Sequence, residues 1–303
     1  MSATQVHHRK MTKDQMIVNI VGYILIGIFA LVCVIPFYLI IVASFTDESE
    51  LIRNGYPIIP TVFSVQSYLL CLKNPVSIAK AYGTTIGVTA VGTAFAVFIA
   101  TMTGYVLSRK DFPWRNKFSF FFFFTTLFSG GLVPWYMLCV RYLHFKNSYI
   151  GILLPLMFSV WNMIIAKSFM NGIPSAITES AKIDGANDFV IFMKLILPLS
   201  KPLIATLSLF SALAYWNDWT NGLYYIVKNT GLYNVQNLLN QMVQNIQFLT
   251  QSSNSNVTAA ASTIPATGIQ MAIAFVAILP IMLIFPSFQK YYAKGIALGA
   301  VKG

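Results

Sequence analysis

The chain has 303 residues, 56% of them hydrophobic and only 10% charged, with a mean hydropathy of +0.67. A soluble domain carries about 25% charged residues, so a water-facing globule is excluded and an all-α polytopic membrane protein is the class that fits. The net charge of +11 does not point to nucleic acid, because the basic residues are dispersed between apolar stretches rather than gathered in one stripe.

A bilayer-spanning helix needs about 20 mostly apolar residues. Six segments satisfy this, at 17–44, 82–107, 118–140, 148–170, 202–227 and 267–288. A polar N-terminal segment, 1–16, precedes the first span. That span is too long for a secretory signal and no small-residue cleavage site follows it; it runs directly into Asp47, Glu48 and Glu50. The external loop 45–81 carries Pro57, Pro60 and Pro75. The second span presents Gly83, Gly87, Gly92, Ala96, Ala100 and Gly104. Small residues let helices approach closely in lipid, which places this helix inside the bundle. Phe120 to Phe124 in the third span point round every face and read as hydrophobic bulk.

The fifth span holds Asp218, the sole acid within a predicted span. Counted from Pro202 it lies about 24 Å along the helix, at 1.5 Å per residue. That is towards the outer end of a core about 30 Å thick. Intramembrane ionisable groups face the bundle interior or a wet cavity. Asp218 and its neighbour Asn217 are therefore candidate hydrogen-bonding groups in a translocation pathway. Trp216 and Trp219 suit either an interfacial aromatic belt or stacking on a sugar. The external segment 228–266 is rich in Asn, Gln, Ser and Thr. Within it Val235, Leu238, Leu239, Met242, Ile246 and Leu249 recur at helical spacing behind Asn234, a suitable N-cap. This amphipathic helix could rest on the membrane surface, on neighbouring helices or on an external partner.

Orientation follows from the basic residues. Fourteen of the 20 Lys and Arg fall on the side that holds the N-terminus, the 171–201 loop and the C-terminus. Six fall on the other: Arg53, Lys73, Lys80, Arg141, Lys146 and Lys228. Both termini are thus expected in the cytoplasm. Cys33, Cys71 and Cys139 have no metal-like spacing and read as reduced, small apolar residues. With His7, His8 and His144 they form no ligand cluster, so no metal or other cofactor is expected.

The loop at 171–201 is the polar, glycine-punctuated stretch between the fourth and fifth spans. Pro174 and Ser175 open a helix with Ser175 as N-cap, running to about Asp184. Gly185 supplies a left-handed residue that ends it. Asn187 or Asp188 caps a second helix, which Pro198 breaks after Leu197. Ile173, Ile177 and Ala181 share one face of the first helix; Phe189, Phe192, Met193 and Leu197 share one face of the second.

Glu179, Ala181, Gly185, Leu197 and Pro198 match the pattern EAA, three residues, Gly, nine residues, Ile-x-Leu-Pro. Ser180 stands for the first alanine and Leu195 for the isoleucine. The loop resembles the cytoplasmic docking loop of binding-protein-dependent ABC importer permeases. The resemblance implies that Glu179, Ser180, Ala181, Asp184, Gly185, Leu195, Leu197 and Pro198 form a knob that docks an ATPase. The whole chain is similar to the type I, maltose-transporter-like carbohydrate-uptake permeases. PFYLIIVASFTDESEL (Pro36 to Leu51), YWNDW (Tyr215 to Trp219) and the tail KYYAKGIALGAVKG (Lys290 to Gly303) carry that likeness. It implies one transmembrane domain, 1–303, with a core at about 80–288, in a bacterial cell membrane. It also implies two copies of an ATPase subunit, a second homologous permease, an extracytoplasmic solute-binding protein and an oligosaccharide substrate.

No GxxxxGK[ST] loop, HExxH or GxSxG occurs, so ATP hydrolysis is expected in separate subunits and the chain itself is not an enzyme. The alternatives are an ABC permease for a non-sugar solute, a proton-coupled carrier and a membrane enzyme. A carrier should place several acids or histidines within its helices, and an enzyme needs a catalytic cluster.

Overall fold

The computed structural model describes residues 13–73, 75–227, 230–251 and 266–300. The N-terminal residues 1–12, much of the 228–266 segment and the last three residues of the tail motif lie outside that set. Among the described residues the chain is helical, and its only extended pairing is a single antiparallel bridge between Thr46 and Phe63.

The residues group into two compact units. The first contains α1 (Lys13–Ser44), α2 (Glu48–Asn54), α3 (Gln66–Cys71) and the start of a long last helix, 266–276. α1 is apolar along its length and none of its span-long window is buried within the chain. Asp47 caps α2, accepting from the Ser49 N–H at 3.0 Å. The Glu48 carboxylate accepts from the N–H groups of Thr267 (2.9 Å) and Gly268 (2.8 Å). It thereby satisfies two of the orphan donors at the start of the last helix. A Cβ on Gly268 would collide with Ser67 Oγ.

The second unit is built on α4 (Pro75–Ser108). Around it lie α5 (Arg115–Leu127), α6 (Leu132–Met137), α7 (Tyr149–Leu153), α8 (Val160–Met170), α9 (Ser175–Ile183), α10 (Asp188–Ile191), α11 (Leu197–Leu199), α12 (Lys201–Trp216), α13 (Thr220–Tyr225) and α14 (Val235–Gln251). The last helix, α15 (Ala266–Ala300), contributes its later part. α4 packs against α8 and α12. Its small residues make those crossings: a Cβ on Gly104 would meet Ala166 Cβ at 2.6 Å and the Lys167 backbone N at 2.9 Å. Gly92 lies under the Tyr215 ring. Gly83 and Gly87, by contrast, face open space.

Three helices are long and apolar enough to cross a bilayer, and the number reaches six when each of three bent pairs counts as one span. Three spans expected to be continuous are interrupted. The third bends by 112° between α5 and α6, where Ser129, Gly130 and Gly131 intervene and Gly131 takes a φ of +84°. The fourth bends by 43° around a 3-10 turn at Leu154–Leu156; it restarts at Ser159, whose hydroxyl accepts from the Asn162 N–H. The fifth ends as α12 at Trp216 and resumes as α13 at Thr220. Hydropathy windows register apolar length and are blind to such breaks.

Candidate functional site

The loop after α8 folds as helix, turn, helix. α9 begins at Ser175, but Pro174 precedes it as the cap residue and no side chain caps it, so Ser175 is the first helical residue rather than the N-cap. At its end the Gly185 N–H bonds the Lys182 carbonyl and the Ala186 N–H bonds the Ala181 carbonyl, both at 3.0 Å. That is the Schellman closure, and it needs the φ of +80° that Gly185 adopts. Asn187, rather than Asp188, caps α10, its Oδ1 accepting from the Val190 N–H at 2.8 Å.

The helix does not stop at Pro198. It continues from α10 through a π turn, Phe192–Ile196, into α11, and the chain bends by 84° only between Leu199 and Lys201. The Leu197 N–H reaches back to the Phe192 carbonyl. This wider turn absorbs the proline, which has no N–H to return to Lys194. Phe192 is buried with Ile191, Ile196 and Ala181, and Ile173, Leu195 and Leu197 pack against that cluster. Phe189 and Met193, expected beside Phe192, instead stay 61% and 41% exposed, and Ile183 at the end of α9 is 87% exposed. Glu179, Ser180, Asp184, Gly185 and Pro198 are exposed. Glu179 makes no ion pair among the described residues and lines a cleft of about 640 Å³ with Ser175, Thr178, Lys182 and the end of α4.

A charged network joins this loop to the segment after α4. The Arg109 guanidinium pairs with Asp111 and with Asp188. Lys182 Nζ lies 2.9 Å from Asp111 Oδ2 and 3.9 Å from Asp188 Oδ1. Arg109 first, and Lys182 second, hold the Asp111 carboxyl well below the usual carboxylate range. Beneath the charges, the Tyr105 and Phe192 rings stack at 5.5 Å. Sequence reasoning missed this network. The available signal was scarcity: the chain has only nine Asp and Glu, so an acid in each of two loops that flank candidate spans is informative.

Asp218 lies in the break after α12, not within a helix. It is 6% exposed, and its carboxylate accepts from Thr220 Oγ1 (3.1 Å), the Asn221 N–H (3.2 Å) and Asn221 Nδ2 (3.0 Å). Trp216 is buried and donates Nε1–H to the Ala277 carbonyl at 3.4 Å. Asn217 and Trp219 are exposed. The four residues thus divide into a buried, internally satisfied pair and an exposed pair. The break also anchors α14. Asn234 Nδ2 donates to the Asp218 carbonyl, Asn237 Nδ2 donates to the Trp219 carbonyl at 3.0 Å, and Asn234 Oδ1 caps α14 by accepting from the Asn237 N–H at 2.8 Å. The Val235 N–H donates to Thr85 Oγ1 of α4 at 2.8 Å. The N-terminal end of the amphipathic helix therefore rests on neighbouring helices.

The family model described as binding-protein-dependent transport system inner membrane component matches residues 92–298. A polygalacturonan/rhamnogalacturonan transport system permease protein, YtcP of Bacillus subtilis, is 39% identical over 94% of this chain and 97% of its own. Protein LplC of the same organism is 33% identical over 99% of both chains. An arabinooligosaccharides transport system permease protein, AraQ of Halalkalibacterium halodurans, is 26% identical over 90% of this chain and 93% of its own. Among solved structures, a chain of a bacterial ABC transporter involved in the import of the acidic polysaccharide alginate superposes with a TM-score of 0.77 and 25% identity. That match covers 94% of this chain and 99% of the other.

Proposed function

The chain belongs to the family of binding-protein-dependent transport system inner membrane components, and we propose that it carries an oligosaccharide across a bacterial cell membrane as a permease powered by ATPase subunits docked on the α9–α10 loop. The carbohydrate reading is supported by likeness over 94% and 90% of the chain to permeases named for polygalacturonan/rhamnogalacturonan transport and for arabinooligosaccharides transport. The docking reading rests on one observation above all: Ile183, Phe189 and Met193 stand exposed around a rigid glycine turn. Apolar groups exposed on the 171–201 loop, beyond the spans read from the sequence, suit a partner's groove.

In this reading two ATPase copies, a second permease and an extracytoplasmic solute-binding protein complete the importer, and the chain is a single membrane domain with both termini in the cytoplasm. Glu179, which makes no ion pair among the described residues, is available for charge-assisted bonds to the ATPase. Ser180, Ala181, Asp184, Gly185, Leu195, Leu197 and Pro198 shape the knob. Asn217 and Trp219 face the substrate route, while Asp218 and Trp216 hold them in place.

The test is affinity purification from membranes of the native host, with uptake measured in vesicles. An ATPase and a second permease should co-purify, and labelled galacturonate oligomers or arabino-oligosaccharides should accumulate only with ATP. Uptake that persists without ATP, in a preparation free of any ATPase, would overturn the proposal.

A further inference from the structure

We propose that Arg109, Asp111, Lys182 and Asp188 are positioning residues for energy coupling: a charged brace that fixes the docking loop to α4, so that movement of the loop is delivered to the central helix of the second unit. The proposal rests on the reading of α9–α10 as the ATPase-docking loop.

Four observations carry it. First, the brace is closed on both sides. Asp111 contacts both Arg109 and Lys182, and Asp188 contacts the same two cations, so charges of opposite sign alternate across three segments. Arg109 follows α4 directly, Lys182 is on α9 and Asp188 opens α10, so both arms of the docking loop are held. Second, the brace stands between two openings. One is the cleft of about 640 Å³ lined by Ser108, Ile173 and Glu179; the other, of about 420 Å³, is lined by Met102, Val106 and Phe189. Arg109, Asp111 and Tyr105 line both, so contact between the end of α4 and the loop is concentrated at the brace and at the Tyr105–Phe192 stack below it. Third, Arg109 also lies over the Tyr105 ring, 5.7 Å from its centroid, which ties the charges to that stack. Fourth, α4 is a suitable lever. Its 34 residues extend about 51 Å at 1.5 Å per residue. About 35 Å from Ser108, at 1.5 Å per residue, Thr85 holds the first residue of the external helix α14.

Exposed ion pairs contribute little to folding individually, and three of the four side chains are 43–61% exposed. Loss of the brace should therefore appear in coupling rather than in assembly. Coupling through such a contact network is commonly shifted by about two- to thirtyfold.

The experiment uses the complete transporter in membrane vesicles. Cys33, Cys71 and Cys139 are replaced, and a reporter cysteine is placed at Gly83, an α4 position with open space around it. Maleimide reactivity of the reporter is measured with and without ATP plus vanadate, and bound ATPase is quantified on the same sample. In the parent, nucleotide trapping should change the reactivity. Arg109→Gln and Asp111→Asn should shrink that change by about two- to thirtyfold while bound ATPase stays within about twofold. Arg109→Lys should fall between, because an ammonium keeps the charge but lacks the planar fork that the guanidinium sets on the two oxygens of Asp111; Asp111→Glu should recover most of the response. An undiminished response in Arg109→Gln, or a parent whose α4 reporter ignores nucleotide, would overturn the brace. A parent that binds no ATPase would instead overturn the docking reading beneath it.

Discussion

Gly185 separates a conformational requirement from a contact requirement, because a Cβ added there meets no atom within 4 Å. Any cost of substitution within the isolated chain comes from its φ of +80°. For alanine in the left-handed region that cost is about 1–2 kcal/mol; for a strained branched residue it rises to about 2–3 kcal/mol. If the hairpin must hold this turn to dock, Gly185→Ala lowers the competent population roughly 5- to 30-fold and Gly185→Val roughly 30- to 150-fold. Asparagine tolerates the same conformation, so Gly185→Asn should stay near the parent. The assay is ATPase co-purification from membranes, titrated with detergent-solubilised ATPase, alongside vesicle uptake and total inserted protein. The expected order of affinity is Gly, Asn, Ala, Val at constant insertion. Asparagine as damaging as valine would place the effect in a clash with the partner and refute the conformational argument. Wild-type binding by Gly185→Val would refute the loop as the docking site.

Topology is tested with single cysteines in a cysteine-free background: Asn245→Cys, on the exposed side of α14, should react with an impermeant reagent in whole cells and Asp184→Cys should not, the reverse pattern inverting the proposed orientation. Gly104→Ala should lower thermal stability in detergent by about 1–3 kcal/mol, because overpacking against the α8 backbone leaves little room to relax, whereas Gly87→Ala should stay within about 0.5 kcal/mol; equal melting of the two would contradict the crossing. Asp218→Ala strips three hydrogen bonds from the break after α12 and should cost about 1–3 kcal/mol, measured as loss of folded protein on heating. Asn217→Ala should lower uptake without changing stability, and unchanged uptake would remove it from the substrate route.

What the sequence made legible and what it hid divide along a physical line. Apolar length is a summed local property, so the six candidate spans were visible, and Gly185 and Asn187 mark their turn by backbone chemistry that depends on few neighbours. The interruptions at Gly130–Gly131, Pro155 and Asp218 were equally present as letters, but a span-length average dilutes one or two breakers among twenty apolar residues. The charged brace was hidden for a different reason: Arg109 and Asp188 are 79 positions apart, and no periodicity links two loops that meet only through the packing of α4 against α8.

Pro198 joins these two kinds of information. As a helix breaker it predicts an end at Leu197, yet the structure keeps the helix to Leu199 by widening the preceding turn. The alternative, a regular helix through Pro198, would lose a hydrogen bond and drive the ring into the Lys194 carbonyl. Widening inserts roughly one residue without an added turn. It rotates everything before it relative to everything after it. Ile191 and Phe192 turn inward to meet Tyr105 and Ala181, while Phe189 and Met193 face outward. The 3.6-residue period of α10 makes that division by itself: at about 100° per residue Ile191 lies about 160° round the helix from Phe189, and Met193 only about 40° from it. The exposed surface on which the docking proposal stands is thus set by α9 and α10 themselves, where Ile183, Phe189 and Met193 point outward, while the widened turn lets the helix run past Pro198 to Leu199.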